Sequence, residues 1–311
     1  MPYVFGPVPS RRLGLSLGVD LIPPKTCTYD CLYCQVGRTT RKIIEPGPLV
    51  PVEQVRQELA QTLRGITPDV ITFSGSGEPT LNAQIHLVID FIRGLTDTKI
   101  AVLTNGSLLW RNEVRERILR ADIIMPTLCS VFEKTYKSLH NPHRDLQLGR
   151  IVEGMERLRE DYRGKLFLEV VLLKGYNDSD REIEALRKAV GRIKPDKVQL
   201  NTVVRPPMDA RAISLDRQRL EDIKTFLGEG AEIIADVSPK HRLQRHASMT
   251  DMVLEMAKRR PVRESDVAGV LGVSSEEAGR VLKGLRVKGM LRLEEQGGDT
   301  YYVVTGSSSD I

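Results

Sequence analysis

The chain of 311 residues lacks an apolar run long enough to cross a bilayer, and its first residues have neither the charged start nor the apolar core of a signal peptide. It has only four cysteines, which are too few and too clustered for a disulfide framework. These absences argue against a membrane partner and a secreted protein, so we expect a cytoplasmic location. The hydrophobic content of 41% allows one large core and a small additional domain. The net charge of +5 permits an anionic partner without identifying one.

Three of the four cysteines lie close together, in the run from Cys27 through Cys31 to Cys34, with the spacing C-x3-C-x2-C. Iron–sulfur proteins that only transfer electrons usually bind every iron of the cluster through a thiolate, so three thiolates leave one iron open to a substrate or cosubstrate. The spacing therefore favours a cluster that takes part in chemistry. A zinc site completed by a histidine or a distant cysteine is the alternative interpretation of the same loop.

A glycine-rich turn follows about forty residues after the cysteine loop. Residues 69–73 have the apolar pattern of a short buried strand, and residues 74–81, Ser-Gly-Ser-Gly-Glu-Pro-Thr-Leu, come directly after it. Glycines let the backbone approach a ligand closely, and the strand end offers free carbonyl groups and the Glu78 carboxylate to an ammonium group. Alone this turn is a weak signal, but its position relative to the cysteines indicates a cofactor site.

Both motifs resemble those of radical S-adenosylmethionine enzymes, in which an aromatic residue like Tyr33 precedes the last cysteine and the turn reads Gly-Gly-Glu-Pro; Ser76 stands here in place of a glycine. The resemblance implies that Cys27, Cys31 and Cys34 bind a 4Fe-4S cluster whose open iron chelates S-adenosylmethionine. It implies that the reduced cluster cleaves this cofactor to methionine and a 5′-deoxyadenosyl radical, which abstracts hydrogen from the substrate. A one-electron donor such as flavodoxin or ferredoxin would reduce the cluster. The implied cofactor contacts are Tyr33, Ser74, Gly75, Ser76, Gly77, Glu78 and Pro79.

Strand-like and helix-like stretches alternate six times, which predicts an α/β fold with parallel strands joined by right-handed crossovers. Both a doubly wound sheet and a barrel satisfy this pattern. The family resemblance, over roughly residues 13–236, implies an open partial (β/α)6 TIM-like barrel with the cofactor across the carboxyl ends of the strands. The predicted pairs are 13–22 with 52–64, 70–73 with 82–93, 99–103 with 111–120, 122–125 with 146–160, 166–173 with 178–192, and 197–203 with 215–227.

Polar residues at strand ends are further candidates for the site. The resemblance places Asn105, after the third strand, near the ribose of the cofactor or near the substrate. Glu169 is the one carboxylate in an otherwise apolar strand, and Asn201 alternates with Gln199 on the last strand, so that both point to the same side. Each of these could equally be a hydrogen-bonded polar residue without a functional role.

Cys129 follows the fourth strand in the run Pro-Thr-Leu-Cys-Ser, where many members of the family resemble Ser-Leu-Asp. A thiol at this position would put a weak S–H bond near the radical. We therefore predict that Cys129 is catalytic, as a radical relay or as a hydrogen donor to a product radical. The alternative is an inert buried cysteine that behaves as a small hydrophobic residue.

Two arginines lie on loops after predicted strands. Arg144 ends the run Leu-His-Asn-Pro-His-Arg, which its Asn-Pro turn marks as a loop over the site, and Arg205 follows the sixth strand. Either arginine could contact a carboxylate or a phosphate, and either could equally be solvated.

Residues 8–14 and 21–25 resemble the subgroup that contains the wyosine-forming tRNA enzymes. Those enzymes have a second cluster on additional N-terminal cysteines, whereas this chain has no cysteine before Cys27. We therefore do not expect wyosine formation by that mechanism. Methylation of adenine through a pair of cysteines is also not expected, because only one cysteine, Cys129, remains after the cluster loop.

The C-terminal residues have a different pattern. After a radical enzyme domain over 1–236 and a linker over 237–249, residues 250–305 read as three helices (250–258, 264–271 and 275–288) and a β-hairpin, which is typical of a winged helix, and 306–311 read as a disordered tail. Residues 250–304 have nine basic and nine acidic side chains. Dedicated DNA-binding domains usually have a basic surface, so nucleic-acid binding, peptide docking and dimerisation all remain open for this module.

Three functional hypotheses follow. The first is a radical enzyme whose substrate is an RNA, a peptide or protein, or a metabolite. The second is a redox-sensing regulator in which the cluster senses iron or oxygen and the winged helix binds DNA. The third is a zinc-stabilised structural protein. The turn at residues 74–79 favours the first hypothesis, because neither alternative needs a pocket for S-adenosylmethionine.

Overall fold

The computed structural model describes residues 2–235 and 249–305. Its strands are β1 (Val4–Ser10), β2 (Gly14–Val19), β3 (Thr26–Cys27), β4 (Arg41–Lys42), β5 (Val70–Phe73), β6 (Lys99–Thr104), β7 (Ile123–Pro126), β8 (Lys165–Leu172), β9 (Lys197–Thr202), β10 (Ala231–Ile233), β11 (Leu291–Gln296) and β12 (Asp299–Val304). Its α-helices are α1 (Val52–Leu63), α2 (Ile85–Leu95), α3 (Asn112–Glu116), α4 (Glu133–His140), α5 (Leu148–Asp161), α6 (Asp180–Ile193), α7 (Arg217–Leu227), α8 (Met249–Arg259), α9 (Glu264–Leu271) and α10 (Ser275–Val287).

The main sheet has the order β1-β2-β5-β6-β7-β8-β9-β10. Neighbouring strands from β2 to β10 are parallel, and β1 is antiparallel to β2. Arg11, which follows β1 at one edge of the sheet, contacts the carbonyl groups of Ile234 and Ala235, which follow β10 at the other edge. The two edges therefore approach each other at this end, so the predicted α/β partial barrel is confirmed.

Three elements of the barrel were not predicted from the sequence. Strand β1 contains Pro7 and Pro9, which argue against a strand, but it lies at the sheet edge, where proline is tolerated. Strand β10 has only three residues. Helix α4 ends at His140, because the next residue, Asn141, has a left-handed φ of 38°. The loop predicted from residue 139 therefore begins two residues later.

Helices cover the sheet because each has one apolar face. In α2 the buried residues Ile85, Val88, Ile89 and Ile92 recur with helical spacing and join the main core, which also contains Ile71 of β5. Burying each such side chain stabilises the fold by about 1.5–3 kcal/mol. The helices thereby fix the strand ends that form the site.

The C-terminal residues 249–305 form three helices followed by the hairpin of β11 and β12. The turn of the hairpin uses Gly297 and Gly298, both with positive φ. Helix α10 begins with a capping box between Ser274 and Glu277. These helices have a core of their own, against which Val8 of β1 packs. The winged-helix assignment and the domain boundaries stay predictions.

The predicted linker and tail fall largely outside the described residues. Of 237–249 only Met249 is described, and it is already helical; residues 306–311 are not described. Neither 2–235 nor 249–305 contains a helix with the length and apolar character needed to cross a membrane.

Candidate active site

A cavity of about 390 Å³ opens at the carboxyl ends of the parallel strands. Three separate parts of the sequence meet there: the cysteine loop, the turn after β5, and the strand-end polar residues. Of the predicted site residues, four are missing from its walls: Pro79, Cys129, Arg144 and Gln199, which instead donates to Oε1 of Glu232 at 2.7 Å. The predicted residues that line it are Cys27, Cys31, Tyr33, Cys34, Ser74, Gly75, Ser76, Gly77, Glu78, Asn105, Glu169, Asn201 and Arg205.

The cysteine loop is fixed by backbone hydrogen bonds to distant segments. The N–H of Asp30 donates to the carbonyl of His140 at 2.8 Å, and the N–H of Leu32 donates to the carbonyl of Leu139 at 3.0 Å. On the other side, the N–H of Met208 donates to the carbonyl of Cys34 at 2.8 Å. The end of α4 and the segment after β9 therefore position the three thiols.

The thiols of Cys27, Cys31 and Cys34 are free and partly buried. Burial raises the pKa of each thiol, and for Cys27 to about 12. Since metal binds the thiolate, loading iron here must release protons. Among the described residues, no three His, Cys, Asp or Glu side chains converge on a single metal ion. A 4Fe-4S cluster does not require such convergence, because each thiolate binds a different iron, so three soft donors on one fixed loop fit the cluster.

The turn after β5 lies so close to its neighbours that glycine is required. A Cβ atom on Gly77 would lie 1.7 Å from the carbonyl oxygen of Thr26, next to the first cysteine. Gly75 has a φ of +140°, and a Cβ there would lie 2.4 Å from Cγ of Asp20. The hydroxyl and the N–H of Ser76 donate to Oδ2 of Asp20 at 2.6 and 3.0 Å. Asp20 was not predicted as a site residue, although an acid within the apolar residues 17–22 was a usable signal.

Glu78 is buried and connects two strand ends. Its Oε1 accepts hydrogen bonds from the hydroxyls of Thr80 at 2.6 Å and Thr104 at 2.5 Å, and its Oε2 accepts from the N–H of Asn105 at 2.6 Å. Burial raises the pKa of Glu78 despite these donors. The Glu78 carboxylate therefore organises the ends of β5 and β6 in this structure.

Asn105 joins the third strand end to the cysteine loop. Its Nδ2 donates to Oγ1 of Thr28 at 2.7 Å and lies 3.6 Å from Sγ of Cys27. The side chain thus holds the loop on which the cysteines lie, and it borders the cavity at the same time.

Glu169 and Asn201 line the cavity together with Arg12. Glu169 accepts hydrogen bonds from Nη1 of Arg12 at 2.9 Å, from Nδ2 of Asn201 at 3.1 Å and from the hydroxyl of Thr127 at 3.2 Å. Burial alone would raise the pKa of Glu169, but Arg12, Asn201, Arg11 and Thr127 lower it below the usual range. These contacts therefore favour the ionised form of the carboxyl group. The sequence pattern around Arg11 and Arg12 did not indicate a role in the site.

Cys129 lies behind the cavity wall. Its side chain is 2% exposed, and its Sγ lies 3.5 Å from the hydroxyl of Tyr33, which does line the cavity. The same hydroxyl lies 3.3 Å from Nδ1 of His140, and that nitrogen lies 3.2 Å from Sγ of Cys31. Burial raises the pKa of Cys129 to about 12 and lowers that of His140 to about 3. Contact between Cys129 and the cavity therefore runs through Tyr33.

The two loop arginines have different surroundings. Arg144 has a side chain that is 91% exposed, near Asp145, so it is solvated. Arg205 is 4% exposed, lines the cavity and lies 3.4 Å from Asp266 of the C-terminal helices. The sequence pattern did not distinguish these two positions.

Comparison with known proteins identifies the family of this chain. A sequence model of the Radical SAM superfamily matches residues 21–187. The UPF0026 protein MJ1312 of Methanocaldococcus jannaschii is 32% identical over 320 residues, which cover 100% of this chain and 98% of that protein. A protein of Brachyspira hyodysenteriae named GTPase Obg is 35% identical over 306 residues, which cover 97% of this chain but only 45% of that protein. The chain thus spans less than half the length of this second relative.

Solved structures agree at the level of the fold. The structure of TYW1 with a lysine-pyruvate adduct has a TM-score of 0.51 and is 17% identical, over 72% of this chain and 75% of that chain. The family match implies an enzyme that uses S-adenosylmethionine and a 4Fe-4S cluster, for which Cys27, Cys31 and Cys34 are present. The comparisons give no support to the regulator hypothesis. The chain belongs to the radical S-adenosylmethionine superfamily, in the group of the UPF0026 protein of M. jannaschii.

Proposed function

We propose that this enzyme abstracts a hydrogen atom from a substrate that enters the cavity opposite the turn after β5. The substrate is an RNA, a peptide or protein, or a metabolite. The observation that carries the proposal is the convergence, on one cavity, of the free cysteines, the glycine-rich turn and Glu169 paired with Arg12. In this proposal the cysteines and the turn form the cofactor wall, and Glu169, Asn201 and Arg12 form the substrate wall.

The residues of the cofactor wall have separate roles in the proposal. Cys27, Cys31 and Cys34 would hold the irons of the cluster, and the backbone of residues 74–77 would hold the amino group of S-adenosylmethionine. When bound, these groups supply one-electron reduction and reductive cleavage of the sulfonium. Asp20 and Glu78 hold the turn in place through the hydrogen bonds described above. Tyr33 and Asn105 complete the contacts around the cofactor.

The residues of the substrate wall orient the substrate or the ribose. Glu169 is held as a carboxylate by Arg12, and Asn201 donates to it. Such a fixed acceptor can hold a hydroxyl or amino group of the substrate in position for hydrogen abstraction. The wall therefore supplies orientation.

Cys129 acts as the hydrogen donor to the product radical, through Tyr33. The hydroxyl of Tyr33 gives up a hydrogen atom to the product radical, and the S–H of Cys129 transfers its hydrogen atom to the resulting tyrosyl oxygen across the 3.5 Å contact, which leaves a sulfur radical. The sulfur radical that remains takes up one electron and one proton, the electron coming from the same external donor that reduces the cluster. The donor is a one-electron protein such as flavodoxin or ferredoxin, which is consistent with a cytoplasmic location.

The C-terminal helices dock part of the substrate in this proposal. Arg280, Lys283 and Arg286 lie on α10, which would be the recognition helix of a winged helix. A nucleic acid or a peptide could contact it, and the balanced charge of the module favours neither.

The test is anaerobic reconstitution with iron and sulfide, followed by dithionite reduction with S-adenosylmethionine and assay of 5′-deoxyadenosine. We expect the wild type to form it, and Cys27→Ala, Cys31→Ala or Cys34→Ala to lose it together with the cluster. A cluster-loaded wild type that forms none, with dithionite or with a flavodoxin system, would contradict the proposal.

A further inference from the structure

We propose that the cavity holds an anionic group of the substrate, a carboxylate or a phosphate, between Arg205, Arg260 and Arg11, where the barrel meets the C-terminal helices. This inference rests on the proposed function, because it names the substrate class of the same site.

Three segments that are distant in the sequence bring these arginines together. Arg11 follows β1, Arg205 follows β9, and Arg260 follows α8. All three line the cavity. The barrel and the C-terminal helices are held together here by the ion pair of Arg205 with Asp266 and by a hydrogen bond from the hydroxyl of Tyr301 to the carbonyl of Val204. Arg205 therefore occupies a fixed position, and Arg11 is held by the carbonyl groups of Ile234 and Ala235.

Acidic residues do not balance the positive charge at this place. Glu169 is paired with Arg12 at 2.9 Å. Asp266 lies 3.4 Å from Arg205, but it also accepts from the N–H of Arg263 at 3.1 Å. In residues 2–235 and 249–305, Arg11 and Arg260 have no ion pair with an acid. The cavity thus has a surplus of cations.

The guanidinium group of Arg205 also lowers the pKa of the two neighbouring arginines. Burial and then the neighbouring Arg205 lower the pKa of Arg260 to about 9. Burial and then Arg205 lower the pKa of Arg11 to about 10. An anion between them would remove this repulsion, because opposite charges favour the protonated form.

Arg205 has an unused donor in the same place. It is 4% exposed, and its Nε has no hydrogen-bond partner among the described residues. A buried donor without a partner costs about 1–3 kcal/mol in general. Carboxylates and phosphates accept charge-assisted hydrogen bonds from several guanidinium nitrogens at once. A ligand of this class would satisfy the orphaned Nε.

The position of the arginines assigns the anion to the substrate. The turn that approaches the cofactor follows β5, whereas Arg205 follows β9, and β6, β7 and β8 lie between these strands. Arg260 belongs to the C-terminal helices rather than to the barrel. A cavity of about 390 Å³ admits a small molecule or one end of a longer chain beside the cofactor.

The test measures anion binding to the cluster-loaded full chain without S-adenosylmethionine. The thermal midpoint of unfolding is followed with inorganic phosphate or with succinate, at constant ionic strength set by sodium chloride. The variants are Arg260→Gln, which removes the charge, and Arg260→Lys, which keeps it. Arg163→Gln, an exposed position after α5 that does not line the cavity, is the matched control.

We expect one probe at tenfold its Kd to raise the wild-type and Arg163→Gln midpoints by about 2 °C. Arg260→Lys should keep part of this rise, and Arg260→Gln should lose it. If Arg260→Gln does not fold, a smaller rise in Arg260→Lys than in Arg163→Gln supports the inference and an equal rise overturns it. A response to phosphate alone or to succinate alone identifies the group. An equal rise in Arg260→Gln and the wild type, or no rise in the wild type with either probe, would overturn the inference. Formation of 5′-deoxyadenosine by the wild type is scored separately, so failure of the proposed function is distinguishable.

Discussion

The proposed cofactor wall and the proposed substrate wall of the cavity are built in different ways. The cofactor wall consists of backbone held in close contact: Gly77 touches the first cysteine strand, and the buried Glu78 is saturated by hydroxyls and an N–H. The substrate wall consists of charged side chains, with Arg12 paired to Glu169 and Arg205 to Asp266. An added Cβ at Gly77 would clash in the cofactor wall, whereas the substrate wall is held by ion pairs that a substitution weakens. Three substitutions and one titration test this account of the cavity.

The largest effect is expected for Gly77→Ala. Its Cβ would lie 1.7 Å from the carbonyl oxygen of Thr26, so either the turn or the cysteine strand must shift. We expect a loss of about 3 kcal/mol or more in the free energy of unfolding. The matched control is Gly94→Ala in α2, where nothing lies within 4 Å of the added atom and helix propensity should add up to about 1 kcal/mol. Equal stability of the two variants in urea denaturation would contradict the close contact.

Glu169→Gln should have the next largest effect. It leaves the guanidinium of Arg12 partly buried without its carboxylate, which costs about 3 kcal/mol. Glu45→Gln is the control, because Glu45 pairs with Arg111 at the surface and should cost no more than about 1 kcal/mol. Chemical denaturation measures both, and a Glu169→Gln value as small as that of the control would show that the ion pair does not hold the substrate wall.

The pH dependence of the apoprotein reports on His140, whose Nδ1 lies 3.2 Å from Sγ of Cys31 and 3.3 Å from the hydroxyl of Tyr33. Burial lowers its pKa from 6.5 to about 3, so the unfolded chain takes up a proton that the folded protein does not. The stability contributed by the neutral ring is complete above pH 6.5 and falls by about 1.4 kcal/mol per pH unit below it, down to the folded pKa. Resonances of His140 that titrate near pH 6.5 in the folded apoprotein would contradict its burial.

Cys129→Ala should have the smallest effect on stability, about 1 kcal/mol, because a small buried side chain becomes slightly smaller. We expect the variant to keep its iron and sulfide but to block turnover of the substrate, because the hydrogen donor behind Tyr33 is gone. Iron analysis measures the cluster content of Cys129→Ala, and Cys34→Ala, which should lose the cluster, is the control. Loss of the cluster in Cys129→Ala would contradict its assignment behind the wall.

The cofactor wall could be predicted from the sequence because its parts are local. Cys27, Cys31 and Cys34 lie on one short loop, and residues 74–79 follow one strand, so spacing alone indicates their chemistry. Asp20 and Glu78 hold this wall, and of these Glu78 was predicted as a cofactor contact. Its role of joining two strands depends on Thr104, which only the fold brings near. Direct contact of Glu78 with the cofactor stays a prediction.

The substrate wall could be predicted only in part: Glu169 and Asn201 were candidates, but their contacts with arginines join distant segments that only the fold brings together. Nothing near Arg260 in the sequence indicates that it meets Arg11 and Arg205 in one cavity. The sequence around Cys129 did not indicate a contact with Tyr33 either, although the hydroxyl of Tyr33 lies 3.5 Å from Sγ of Cys129. Strand β1 was missed for a different reason, since its prolines are compatible with a strand only at a sheet edge.

The most direct measurement of the central claim, that the cysteine loop and the turn after β5 form one cofactor wall, is the EPR spectrum of the reduced cluster with and without S-adenosylmethionine. If the cofactor binds at the open iron, its addition should shift the g values of the wild-type cluster. A reduced, intact cluster whose spectrum is the same at saturating S-adenosylmethionine would contradict the account.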